Sequence, residues 1–155
     1  MKKFVLIALL VLPLFTAAAR ADEPLAMTEA EAREFCNKWL PNFVGGEPSL
    51  DKLMTFYAPN AYYEDPNVPE GRRGKAEVAG FLKLLLKKYP AWKFDIVNLY
   101  PTKKGFVLQY VGTIPLEDGK VIKNFRGIDI IELENGKIVS QLGYYDRHVF
   151  FEPIP

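Results

Sequence analysis

Residues 75–100 read KAEVAGFLKLLLKKYPAWKFDIVNLY, and within them the spacing of the apolar residues changes once. Val78, Phe81, Leu82, Leu85 and Tyr89 recur at three- and four-residue intervals, as on a helix with one apolar face. Pro90 cannot continue that helix, because it lacks the N–H and its ring clashes with the preceding turn. Beyond it Trp92, Phe94 and Ile96 alternate with their neighbours, so the period falls from 3.6 to 2.

Everything after this switch reads as strand. GFVLQYVGTIPL (105–116), a hairpin turn LEDGK (116–120), KVIKNFRGIDIIEL (120–133), the turn ENGK (134–137) and KIVSQLGYYDRH (137–148) form a meander. Everything before it is mainly helical. Thr28 and Glu31 form a capping box, and Ala32, Phe35, Cys36, Trp39 and Phe43 follow at helical spacing until Pro41 bends or ends the helix. After GGEPS (45–49), Ser49 can cap a second short helix with Leu50, Leu53, Met54 and Tyr57 on one face. A strand follows over Ala61 to Glu64, limited by Pro66, and Gly74 opens the third helix. Helices first and strands afterwards predict an α+β fold, in which three N-terminal helices pack on one face of a cone-shaped, curved antiparallel sheet and enclose a pocket. Such pockets take small apolar ligands.

The first 21 residues predict a different fate from the rest. MKK is a basic head, FVLIALLVLPLF is an apolar core, and small residues at Ala19 and Ala21 make a cleavage site, the pattern of a secretory signal peptide. The core falls short of the roughly 20 residues that span a bilayer. The expectation is a single domain over residues 22–155, periplasmic or secreted, with no membrane contact after cleavage. The signal takes Lys2, Lys3 and Arg20 with it and shifts the net charge from +1 to about −2, which gives no electrostatic ground for nucleic-acid binding. Cys36 is the one cysteine, so an exported fold must hold by its core without an internal disulfide. His148 is the one histidine, and no P-loop, G-x-S-x-G or dinucleotide fingerprint is present. Neither a metal nor a cofactor is therefore expected.

Two carboxylates stand out against this background. Asp129 shares its strand face with Phe125, Gly127, Ile131 and Leu133. An acid so placed is either paired, with a backbone amide or Arg126, or held neutral by desolvation. Asp65, in AYYEDPNVPEGRRGK (61–75), ends an apolar run just before a proline. Its side chain can close a surface turn, or it can serve as a general base at the mouth of the pocket.

FYAPNAYYEDPNVPEGRRGKAEVAGFL (56–82) and GIDIIELENGKIVSQLGYYD (127–146) resemble the helix, strand and helix segment and the last two strands of the ketosteroid isomerase and SnoaL-like polyketide cyclase group, within the nuclear-transport-factor-two-like superfamily. The resemblance runs from about Thr28 to His148. It implies that Asp65 is the base that moves a proton next to a carbonyl. It implies also that Asp129 is an acid kept protonated by an apolar site, donating a hydrogen bond to the enolate oxygen. The family's tyrosine donor on the first helix is matched most nearly by Trp39, whose indole can donate a hydrogen bond but cannot share a proton. Cyclases and epoxide hydrolases on this scaffold carry an aspartate on the final strand, where Asp146 stands. The hydrolase arginine and aspartate would fall near Gln109 and Val111, which cannot replace them. Trp39, Tyr57, Tyr63, Phe125, Tyr144 and Asp146 are the expected pocket residues beside the two catalytic candidates; of the adjacent pair Tyr144 and Tyr145, one is expected to line the cavity.

The implied functions are cofactor-free proton transfer of isomerase or cyclase type on a small apolar carbonyl compound, or binding of a small hydrophobic ligand without turnover. The alternative is a non-catalytic assembly domain that forms a homodimer.

Overall fold

The computed structural model describes residues 24–116 and 119–150, the last two by backbone alone. The expected signal peptide, and positions 117 and 118 of the LEDGK turn, lie outside the described residues. The elements run α1 (Glu29–Trp39), a 3-10 turn (Leu40–Asn42), α2 (Glu47–Met54), β1 (Tyr57–Asp65), β2 (Val68–Arg73), α3 (Lys75–Lys88), β3 (Lys93–Pro101), β4 (Gly105–Pro115), β5 (Val121–Glu134), β6 (Lys137–Tyr145) and a 3-10 turn (Arg147–Phe150).

Helix α1 starts where its capping box places it: the Thr28 N–H donates to Glu31 Oε2 at 2.7 Å, and the Glu31 N–H to Thr28 Oγ1 at 3.2 Å. It buries Ala32, Cys36 and Trp39. Burial pushes the Cys36 thiol up to about 12, with the charge of Asp129 adding to the effect, so the sulfur is an inert core atom. At the other end Asn42 Nδ2 donates to the carbonyls of Lys38 and Trp39, turning the chain over Pro41. Helix α3 buries Val78, Leu82 and Leu86, with Phe81 and Leu85 half-buried along the predicted stripe.

The α+β architecture and the curved sheet agree with the sequence reading, with four differences. Tyr57, expected on the second helix, begins strand β1, which is longer than the expected Ala61 to Glu64. Helix α2 begins at Glu47, capped by Gly46 at φ 104°, two residues before Ser49; Pro48 suits a first turn, which needs no N–H there. Residues 68–73 form strand β2, which pairs antiparallel with β1 across a tight turn that joins Asp65 to Val68. The sheet is mixed, because β1 runs parallel to β6 in the order β2-β1-β6-β5-β4-β3. The third helix lies between β2 and β3, so the β1–β2 hairpin joins the meander by a crossover and not by a turn.

Shifts of register bend the sheet around α1 and α3. They fall between Tyr57 and Tyr62, Tyr63 and Asp65, Ile96 and Asn98, Gly112 and Ile114, and Glu132 and Leu133. The concave face carries a connected set of rings, with Trp92 stacked on Phe94 at 5.7 Å and Phe94 edge-on to Tyr110 at 5.2 Å and Phe43 at 5.5 Å. No helix among the described residues is long and apolar enough to cross a membrane.

Candidate active site

Ala61, Tyr63 and Asp65 alternate inward along the end of β1, while Tyr62 and Glu64 face outward. Pro66 and Asn67 then reverse the chain. Asp65 Oδ1 accepts the N–H of Asn67 at 2.7 Å and that of Val68 at 3.2 Å. Asp65 Oδ2 accepts the hydroxyls of Tyr63 at 2.7 Å and Tyr145 at 2.8 Å. The two readings of Asp65 are thus divided between its oxygens: one closes the turn, and the other faces the interior.

Asp129 is two strands away. It pairs with Gly143 on β6, and β6 lies between β5 and β1. A Cβ on Gly143 would sit 3.2 Å from Asp65 Cβ and 3.3 Å from Asp129 Oδ1. Glycine therefore leaves open the space between the two acids, which any larger residue would fill. Both carboxyl groups are buried, and both line one small cavity with Tyr63, Tyr110, Gln141 and Tyr145. Leu40, Phe43, Leu85, Trp92 and Phe94 complete its apolar wall. Its volume of about 20 Å³ has room for a single water, so a larger ligand must displace part of the wall.

Among the described residues, neither Arg126 nor a backbone amide pairs with Asp129. Gln141 Nε2 donates to its Oδ2 at 3.0 Å. Burial raises the carboxyl to about 7; the Gln141 hydrogen bond pulls against this, and the charge of Asp65 adds to it. The surrounding phenols are held firmly protonated. Burial raises Tyr63, Tyr110 and Tyr145 well above the ordinary phenol range, and the charges of the two aspartates reinforce it.

The other expected pocket residues divide. Tyr63 lines the cavity. Tyr57 stands one residue behind, its hydroxyl donating to Gln141 Oε1 at 2.5 Å. Phe125 is buried behind Tyr145, with ring centres 4.9 Å apart, and packs the tyrosine that reaches the acid. Trp39 is buried but does not line the cavity, and its N–H has no hydrogen-bond partner among the described residues. Two placements need correction. Tyr144 is 53% exposed on the outward face, and the inward tyrosine is Tyr145. Asp146 lies beyond β6, exposed, and accepts the His148 N–H at 2.9 Å, closing the final turn.

One bulge explains the Tyr144 placement. Alternation counted straight through from buried Ile138 would put Ser140, Leu142 and Tyr144 inside. The pairing instead jumps from Leu133↔Ile138 to Glu132↔Ser140, leaving Val139 extra, and the phase flips so that Gln141, Gly143 and Tyr145 point inward. Gln141, Tyr110 and Asn67, whose Nδ2 donates to the Tyr145 hydroxyl at 2.6 Å, were not singled out from sequence. The i, i+2, i+4 set Gln141, Gly143, Tyr145 was the available signal, and only the bulge gives its direction. Gln109 and Val111 lie on the outward face, where Gln109 accepts from Asn98 Nδ2 at 2.8 Å; the inward residues of that strand are Leu108 and Tyr110.

No curated protein matches the chain significantly. Among solved structures it resembles a candidate SnoaL-like polyketide cyclase from Shewanella putrefaciens CN-32, at 18% identity over 95% of this chain and 96% of that one, with a TM-score of 0.64. A candidate SnoaL-like polyketide cyclase from Jannaschia sp. CCS1 is 14% identical over 79% and 90% of the two chains, with a TM-score of 0.66. An LEH-like epoxide hydrolase from M. tuberculosis is 15% identical over 79% and 88%, with a TM-score of 0.63. Identities this low establish a shared fold, on which relatives of cyclase and hydrolase type occur, and leave the chemistry to the site. The SnoaL-like domain family matches residues 45–141, which hold Asp65, Asp129 and Gln141 and make up more than half of the sequence, and the chain therefore belongs to the SnoaL-like family.

Proposed function

We propose that the protein is a cofactor-independent enzyme of isomerase or cyclase type that binds a small apolar carbonyl compound and moves a proton next to the carbonyl. The observation that carries this reading is the pair of unlike carboxyl groups across Gly143. Asp65 Oδ2 meets the cavity with hydroxyl partners that can turn away, as a base requires. Asp129, raised to about 7 chiefly by burial, can remain protonated near neutral pH and donate to an oxygen on which charge develops. The apolar wall suits an uncharged substrate, and no basic side chain lines the cavity among the described residues. Solvent deuterium entering the carbon next to the carbonyl of a small cyclic ketone, followed by NMR, tests the proposal. No incorporation above the protein-free rate across a panel of such ketones would reject it.

Export belongs to the same reading. The basic head, apolar core and A-x-A site support cleavage after Ala21. Protein isolated from its native host is expected to begin at Asp22 by intact mass, outside the cytoplasm; a dominant form that keeps residues 1–21 would contradict this.

A second reading, assembly, has its own support on the outward face of the sheet. Tyr144 and Ile128 are direct cross-strand neighbours, and Leu142, Ile130, Val107 and Tyr100 make the adjoining row. Tyr144, Ile128 and Tyr100 are each more than 40% exposed. An apolar patch of this kind suits a second copy. Wild-type protein is then expected to sediment as a dimer at micromolar concentration and Ile128→Lys as a monomer. A monomeric wild type removes this reading without touching the first.

A further inference from the structure

Gln141 is buried on β6 between a phenol and a carboxyl group. An amide can face either way, and its direction here is set by Tyr57, whose hydroxyl donates to Gln141 Oε1 at 2.5 Å. Once its carbonyl is occupied, Gln141 can offer Asp129 only its NH2 group, and Nε2 meets Oδ2 at 3.0 Å. Oδ2 is therefore an acceptor. Among the described residues no donor reaches the other oxygen, Oδ1, which faces the open space at Gly143.

We infer that Gln141 is a positioning residue, oriented by Tyr57, that keeps the proton of neutral Asp129 on Oδ1, the oxygen turned toward Asp65 and the cavity. The inference rests on the proton-transfer reading and gives it a direction. A proton on Oδ2 would meet the Gln141 N–H, which cannot accept it. On Oδ1 it points into the gap that a glycine keeps clear. The chain Tyr57, Gln141, Asp129 then accounts for the polar groups buried on this side of the cavity.

The test is the titration of the Asp129 carboxyl carbon by NMR in wild type, Gln141→Leu, Tyr57→Phe and the double variant. Gln141→Leu removes the N–H that favours the charged form, so the midpoint should rise by about one pH unit, a tenfold smaller ratio of ionised to neutral carboxyl. Tyr57→Phe frees the amide to turn its carbonyl toward Asp129, so the midpoint should rise in the same direction. The double variant should match Gln141→Leu, because Tyr57 acts through Gln141. A folded Gln141→Leu protein with an unmoved midpoint would overturn the inference, as would a full Tyr57→Phe effect in the protein that already carries Gln141→Leu. Should Gln141→Leu fail to fold, Tyr57→Phe alone decides by the same sign. The two readings fail separately: a wild-type midpoint near 4 removes the proton-transfer reading, whereas unmoved variants with a wild-type midpoint near 7 remove only the role of Gln141.

Discussion

Asp65→Asn is expected to slow deuterium exchange into a ketone substrate by about 10²- to 10⁴-fold while leaving ligand affinity nearly unchanged. An amide cannot take up the proton, yet it fits the same turn. Tyr63 and Tyr145 can rotate their hydroxyls to meet an amide where they now meet Asp65 Oδ2, so the fold should survive. The internal control is Asp129. The charge of Asp65 helps to hold that carboxyl up, so its midpoint should fall in the variant as the charge disappears. Asp129→Asn should slow exchange less, because an amide still donates a hydrogen bond to the developing charge. If folded Asp65→Asn protein exchanges at the wild-type rate, Asp65 is not the base.

Asp129→Asn should also stabilise the protein, and only above acid pH. The carboxyl ionises near 3.8 in an unfolded chain and near 7 in the folded one, chiefly because of burial. Between those values the folded state holds the proton more tightly. The stabilising contribution is therefore complete below pH 4 and is lost as pH rises through 7. A separation of about three pH units corresponds to a loss of about 4 kcal/mol when complete. Asparagine does not titrate, and its carbonyl can accept the Gln141 N–H. The variant should match wild type near pH 4 and exceed it by up to about 4 kcal/mol at pH 8 and above, measured by urea unfolding at several pH values. A difference that does not change with pH would mean that Asp129 ionises alike in both states. Such a gain would make the buried acid a group kept for chemistry at a cost in stability.

The Asp129 environment was legible from its strand neighbours, because period 2 alone puts Phe125, Gly127 and Ile131 on its face, and all three are buried. The capping box and the α3 stripe were legible for a similar reason: each depends on residues within one or two turns of each other. Arg72 and Arg73 sit on β2, a strand that periodicity did not show. There Arg72 pairs with Glu70 at 2.8 Å and Arg73 lies 4.5 Å over the Tyr62 ring. Proline and glycine in VPEGRR suppress a strand signal locally, while pairing with β1 restores the strand.

What the sequence determined by itself was therefore whatever is local: the change from period 3.6 to 2 at Pro90, the helix starts, the apolar face around Asp129, and the turn chemistry of Asp65. What only the tertiary structure decided was whatever depends on the phase between distant strands. That includes Tyr145 in place of Tyr144, the parallel joining of β1 to β6, and the Gln141 amide between Tyr57 and Asp129. A single extra residue at Val139 reverses every side chain after it, and its position is set by pairing with β5, a partner strand that periodicity within β6 does not contain.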